Sequence, residues 1–222
     1  MSEFREHSYI RRRGRATQAQ SRALAVYTAR YAVEPEQIGA LAGTECLGIE
    51  IGFGMGHALL RWATDAPQWR LLGIELYQPG IGALSDGLYR QSLHNVWVLE
   101  YPAQVVFAAL PDARVDEVRI FFPDPWPKKR HHKRRLIQPD FVQELARTLK
   151  SGAVVRLATD WTPYAEWIRE CFASCAAFEA VLDAVRGART AATEASVRDT
   201  TNFERRGERL GHDVTDLVYR RN

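Results

Sequence analysis

Strand-like and helix-like segments alternate through most of this chain, which predicts an α/β fold: a mostly parallel, doubly wound sheet with helices on both faces. Two further observations point the same way. A glycine-rich turn, Gly52-Phe53-Gly54-Met55-Gly56, directly follows the first apolar run. Glu75, Pro102, Asp124 and Asp160 then fall just after later apolar runs, where such sheets carry their ligand-binding loops.

The elements follow in order. Thr17 with Gln20 resembles a capping box, and Leu24, Tyr27 and Tyr31 lie at i, i+3, i+7. These features predict an amphipathic helix ending near Val33, before Pro35. Residues 46–51 form a buried strand, 57–66 a helix, 70–75 the next strand and 79–91 a crossover helix. Residues 95–99, 115–122 and 153–158 supply further strands, with helices over 103–110 and 140–149 between them. Thr162-Pro163 reads as an N-cap and first-turn proline for a helix running to about Phe178. A loop over 200–212 precedes a last strand at 214–220. Residues 1–16 are polar, basic and aperiodic, so they read as a flexible arm on a single domain over 17–222.

A chain of 222 residues builds one such domain with a sizeable core. No apolar stretch approaches the length of a membrane span, and the first residues lack the apolar core of a secretory signal. Cys46, Cys171 and Cys175 lack zinc spacing and read as packed thiols, so the chain is expected in the cytoplasm, with no metal. The net charge is only +3, but positive residues concentrate in Arg11-Arg12-Arg13-Gly14-Arg15, in residues 128–135, and at Arg205, Arg206 and Arg209. Such clustering is the electrostatic footprint of a nucleic-acid binder.

The glycine turn lets the backbone bend tightly and approach a ligand. A dinucleotide fingerprint would place a small residue at position 57, where this chain has His57, and Glu50 ahead of the turn would repel a pyrophosphate. S-adenosylmethionine fits better: it has no phosphate, and its sulfonium and amine gain from nearby carboxylates. Glu50 and the glycines Gly52, Gly54 and Gly56 are therefore candidate cofactor residues. So is Glu75, able to accept from both ribose hydroxyls.

Pro123-Asp124-Pro125-Trp126-Pro127 holds one carboxylate between two rings that restrict the backbone. It runs into Lys128-Lys129-Arg130-His131-His132-Lys133-Arg134-Arg135. One fixed acid beside a dense cationic run is a site for one polar group of a large polyanion. A surface turn with a solvated cationic face is the plainer alternative.

Several segments together resemble the tRNA (guanine-N7-)-methyltransferase family: residues 49–56, Gly73-Ile74-Glu75, residues 121–126, Lys133-Arg134-Arg135, residues 158–161 and residues 201–207. The resemblance extends to Arg13-Gly14-Arg15 and Leu210-Gly211-His212, and so covers nearly the whole chain. It implies a class I, Rossmann-like methyltransferase fold with an antiparallel last strand. It also implies methyl transfer from S-adenosylmethionine to N7 of a guanosine in tRNA. Carried across, Glu50 and Glu75 bind cofactor, and Asp124 is the catalytic acid close to cofactor and base. Lys128, Asp160, Thr201, Asn202, Phe203 and Glu204 contact substrate, and Arg130, His131, His132, Lys133, Arg134 and Arg135 contact RNA. Where the family commonly has an acid for the adenine amino group, this chain has Pro102; Asn202 and Thr215 replace a common lysine and tryptophan.

Guanine N7 carries no proton, so no base need remove one. A fixed carboxylate accepting from the guanine N1 and amino hydrogens orients the base and stabilises the charge it gains. That work falls to Asp124, with Asp160 as a candidate partner. Trp126 and Phe203 either stack on a base or anchor their loops. Two other classes stay open: a paralogue methylating a small heterocycle, and a non-catalytic RNA-binding protein. The basic run argues against the first and the set of Glu50, Glu75 and Asp124 against the second.

Overall fold

The computed structural model describes residues 17–24, 29–38, 45–186 and 213–222. The expected basic arm over 1–16, the expected loop over 200–212 and, within it, the candidate substrate residues Thr201, Asn202, Phe203 and Glu204 lie outside the described residues.

Helix α1 (Gln18–Ala23) and a helical turn at Ala29–Tyr31 lead into the sheet. Strand β1 (Leu47–Ile51), helix α2 (His57–Asp65), strand β2 (Arg70–Ile74) and helix α3 (Gln78–Arg90) follow. Then come β3 (Val96–Leu99), α4 (Ala103–Ala109), β4 (Val115–Phe121), α5 (Pro139–Thr148) and β5 (Leu149–Thr159). Helix α6 (Thr162–Ala173) and strands β6 (Phe178–Arg186) and β7 (Val214–Arg221) complete the described elements. The sheet runs β3-β2-β1-β4-β5-β7-β6. Every pairing from β3 to β5 is parallel, and β7 is antiparallel to both β5 and β6. The expected sheet with an antiparallel last strand is the one observed.

Both faces of the sheet are covered, which is why β1 is buried at every position. Leu47, Ile49 and Ile51 pack toward α4 and α5 through Val106, Phe107, Phe141 and Leu145. On the other face Gly48 leaves room for the Trp62 ring, and Leu59, Leu71 and Leu84 close the layer. Each such aliphatic burial is worth about 1.5–3 kcal/mol.

Several boundaries differ from the sequence reading, among them that of β5, which starts at Leu149 and not at 153. The first helical segment ends at Tyr31, because Ala32 bridges to Val98 and the Val33 N–H donates to the Val98 carbonyl at 3.0 Å. Thr162 is the first residue of α6 and Trp161 its N-cap; no side-chain cap forms. Helix α6 stops at Ala173, where the Ser174 hydroxyl donates to the Cys171 carbonyl at 2.7 Å. Strand β6, which follows, had no counterpart in the sequence reading. Its Glu, Ala and Leu content favours helix, and only pairing with the distant β7 makes it a strand.

Candidate active site

The site sits beyond the carboxyl ends of β1, β2 and β4, in a cleft of about 280 Å³ lined by Gly52, Glu75, Gln104, Asp124, Trp126 and Arg134, among others. The reversal of strand order between β1 and β4 opens this space.

The glycine turn leaves β1 with Gly52, Gly54 and Gly56 at φ of 73°, 55° and 80°, the left-handed region that disfavours side chains. Among the described residues a Cβ on Gly52 or Gly54 would meet nothing within 4 Å. The Gly52 N–H donates to the Ile74 carbonyl at 2.8 Å. Gly54 donates to Glu75 Oε2 at 2.8 Å, while Glu75 Oε1 accepts from the Leu76 and Tyr77 N–H groups at 2.8 and 3.0 Å. Glu75, expected to receive ribose hydroxyls, thus also fastens the loop; three of its roughly four acceptor positions are engaged.

Glu50 is 3% exposed, on the sheet face that carries Gly48. Burial pushes its carboxyl up to about 7, against the pull of the Arg119 guanidinium and with a further push from Glu75. Its Oε2 has no hydrogen-bond partner among the described residues. Arg119, its register neighbour on β4, stacks 3.5 Å from the centre of the Trp62 ring and donates to Glu117 at 2.7 Å. Glu50 is not among the residues that line the cleft; its buried carboxyl, one residue from the cleft residue Ile51, has the chemistry to pair with a positive amine that reaches it. Arg119 was not singled out from sequence, though a lone arginine between Val118 and Ile120 was its signal.

Beyond the strand-order reversal, Asp124 stands in its proline-flanked turn, half-buried in the cleft wall. The Phe122 N–H donates to the Ala158 carbonyl at 2.8 Å and ties the turn to β5. Lys129–Arg134 then form a 3-10 helix. Lys128, Lys129, Arg130 and Lys133 are exposed; His131, His132 and Arg134 are half-buried. Desolvation, then the charges of Arg134, Arg130 and Lys128, hold the His131 imidazole below its ordinary pKa. Trp126 meets the His131 ring edge-on at 5.9 Å, and the Arg134 guanidinium lies 5.1 Å from its centre. These contacts fit the loop-anchoring alternative for Trp126. Arg135, grouped by sequence with the RNA-contacting residues, is 4% exposed and turned inward onto Pro125, away from solvent. Asp160 is exposed at the end of β5.

Pro102 is the N-cap of α4, and the cleft wall beside it is Tyr101, Ala103 and Gln104. The Tyr101 hydroxyl donates to Glu34. Glu100, two residues before Pro102, is exposed and receives Gln78 Nε2 at 3.0 Å. Among the described residues, no group of three or more His, Cys, Asp or Glu is placed to hold a metal ion. No described helix is long and apolar enough to cross a membrane.

This sheet order, with a glycine loop and strand-end acids around one cleft, defines a methyltransferase. The precorrin-6y C5,15-methyltransferase of Geobacter metallireducens shares the fold with a TM-score of 0.58 at 16% identity, over 89% of this chain and 86% of the other. A 16S rRNA (adenine(1408)-N(1))-methyltransferase from Catenulisporales acidiphilia does so at 0.57 and 16%, over 85% and 94%. A family model described as "Putative methyltransferase" matches residues 44–217.

Relatives at higher identity narrow the class. The tRNA (guanine-N(7)-)-methyltransferase of Nitrosococcus oceani is 44% identical over 220 residues, 96% of this chain and 90% of the relative. Those of Stutzerimonas stutzeri and Pseudomonas paraeruginosa are 42% and 41% identical, over 96% of this chain and 91% and 88% of theirs. The chain belongs to the tRNA (guanine-N7-)-methyltransferase family.

Proposed function

We propose that this protein transfers a methyl group from S-adenosylmethionine to N7 of a guanosine in tRNA, giving 7-methylguanosine in the cytoplasm. The observation that carries the reading is the placing of Asp124: a fixed carboxylate on the wall of the glycine-loop cleft, four residues before an exposed run of cations. The family relatives support the same substrate.

When bound, S-adenosylmethionine supplies a methyl group on a positively charged sulfur, which guanine N7 takes with its in-plane lone pair. Glu50 holds the cofactor amine, and that cation in turn keeps the buried carboxyl ionised. Glu75 shapes the loop around the ribose and offers it the remaining acceptor position. Gly52 and Gly54 leave the space open. Asp124 accepts from the guanine N1 and amino hydrogens, orienting N7 and stabilising the positive charge the ring gains. Lys128, Arg130 and Lys133 hold backbone phosphates beside the cleft, with the basic residues of 1–16. Asp160 and the segment 201–204 contact the substrate.

The test is transfer of labelled methyl groups to unmodified tRNA, followed by digestion to nucleosides. Label in 7-methylguanosine is expected. No transfer to tRNA, or label on another atom, overturns the reading.

A further inference from the structure

The last residue of the basic run is built differently from its neighbours. Arg135 Nε donates to the Pro125 carbonyl at 2.9 Å, and its guanidinium carbon lies 5.0 Å from the centre of the Tyr164 ring. Tyr164 is fully buried on α6, and its hydroxyl accepts the Ile137 N–H at 3.3 Å. The Arg135 backbone is held as well. Its N–H donates to the His132 carbonyl at 3.0 Å, and its own carbonyl accepts Gln138 Nε2 at 3.3 Å.

What Arg135 grips is a strained turn. Phe122 and Trp126 have φ of 52° and 41°, a left-handed conformation that strains a bulky residue. Such strain persists only where the surroundings over-determine it. At one end the Phe122 N–H is tied to β5. At the other, Pro125 and Pro127 have no N–H to donate, which leaves the turn fewer backbone donors to hold it. Arg135 takes the Pro125 carbonyl, and Asp124 lies between the two anchors. Burying a guanidinium is costly, and desolvation holds its pKa below the usual arginine value. A cation spent on a carbonyl and an aromatic face is placed for geometry. Only the planar fork makes both contacts at once, so lysine is no substitute.

We propose that Arg135 is a positioning residue, which fixes the proline turn and through it the Asp124 carboxylate, and makes no contact with RNA phosphate. This rests on the role given to Asp124 above.

The experiment compares Arg135→Lys with the exposed Lys133→Gln. Single-turnover methylation by Arg135→Lys, at saturating tRNA and cofactor, is expected to fall about 100-fold, the usual effect of a misplacement of about 1 Å. Its tRNA affinity and salt dependence should stay within twofold of wild type. Lys133→Gln should instead lose about one unit from the slope of log affinity against log salt. A near-normal rate for Arg135→Lys, or a flattened salt slope, overturns the proposal. Because that variant is open to misfolding, the wild-type protein is also labelled with phenylglyoxal, with and without tRNA, and its peptides mapped. Arg135 should stay unmodified in both states while tRNA shields Arg130; labelling of Arg135 that tRNA suppresses overturns the proposal. A wild-type protein that binds cofactor yet methylates no tRNA sinks the proposed function instead, and the labelling pattern still reports whether Arg135 is inside.

Discussion

The Gly54 N–H donates to Glu75 Oε2 at 2.8 Å, so the acid ending β2 holds the turn that ends β1. Since Glu75 also receives the Leu76 and Tyr77 amides, its loss strips three backbone donors of a partner. Glu75→Ala should weaken S-adenosylmethionine by about 1–3 kcal/mol in calorimetric titration and also lower the melting temperature. Unchanged affinity would return Glu75 to the status of an ordinary loop-capping acid.

Asp124→Ala should lower the single-turnover methylation rate far more than it lowers cofactor affinity. In the proposed mechanism the carboxylate meets the base, where charge develops. Rates near wild type at saturating tRNA and cofactor would remove Asp124 from the chemistry.

Glu50 sets a pH dependence. Its folded pKa, raised by burial to about 7, lies above the ordinary 4.5, with Arg119 pulling it down and Glu75 pushing it up. Between those values the folded protein binds more protons than the unfolded chain, so stability falls as pH rises through the window. The full effect is on the order of 3 kcal/mol, reached above pH 7. Glu50→Gln should therefore flatten the decline and raise the melting temperature of the cofactor-free protein at pH 8, while weakening cofactor binding. A variant less stable than wild type at pH 8 would contradict this.

Pro102 offers neither a side-chain acceptor nor an N–H to the cleft edge at α4. Pro102→Asp adds an acceptor for the adenine amino group and should tighten S-adenosylmethionine by about 0.5–1.5 kcal/mol. Weaker binding would mean that this edge is shaped around the proline.

Neutralising the exposed Arg130 and Lys133 together should make tRNA affinity less steeply dependent on salt and leave cofactor affinity intact. An unaltered salt slope would place the phosphate contacts elsewhere.

Much of this was legible in the chain itself. The strand–helix alternation, the glycine turn after β1 and the proline-locked Asp124 are local signals, carried by spacing and by backbone restrictions that act on neighbours. They placed five of the strands and the last strand, and put Glu75 and Asp124 at the strand ends where the cleft lies. Other features depend on partners far away in sequence. Residues 178–186 become a strand only because β7, beginning at Val214, pairs with them. Eight residues in a row, 128–135, look alike as charges, and no local rule says which one turns inward. Burial beneath Pro125 and against Tyr164 decides that Arg135 does. Likewise Glu50 reads as a simple acid until packing removes its water and leaves Arg119 and Glu75 to set its charge. Sequence determined most of the elements and the chemistry at their ends, because those follow from neighbouring residues. Tertiary structure alone decided which charges are buried, because desolvation is imposed by whatever folds over them.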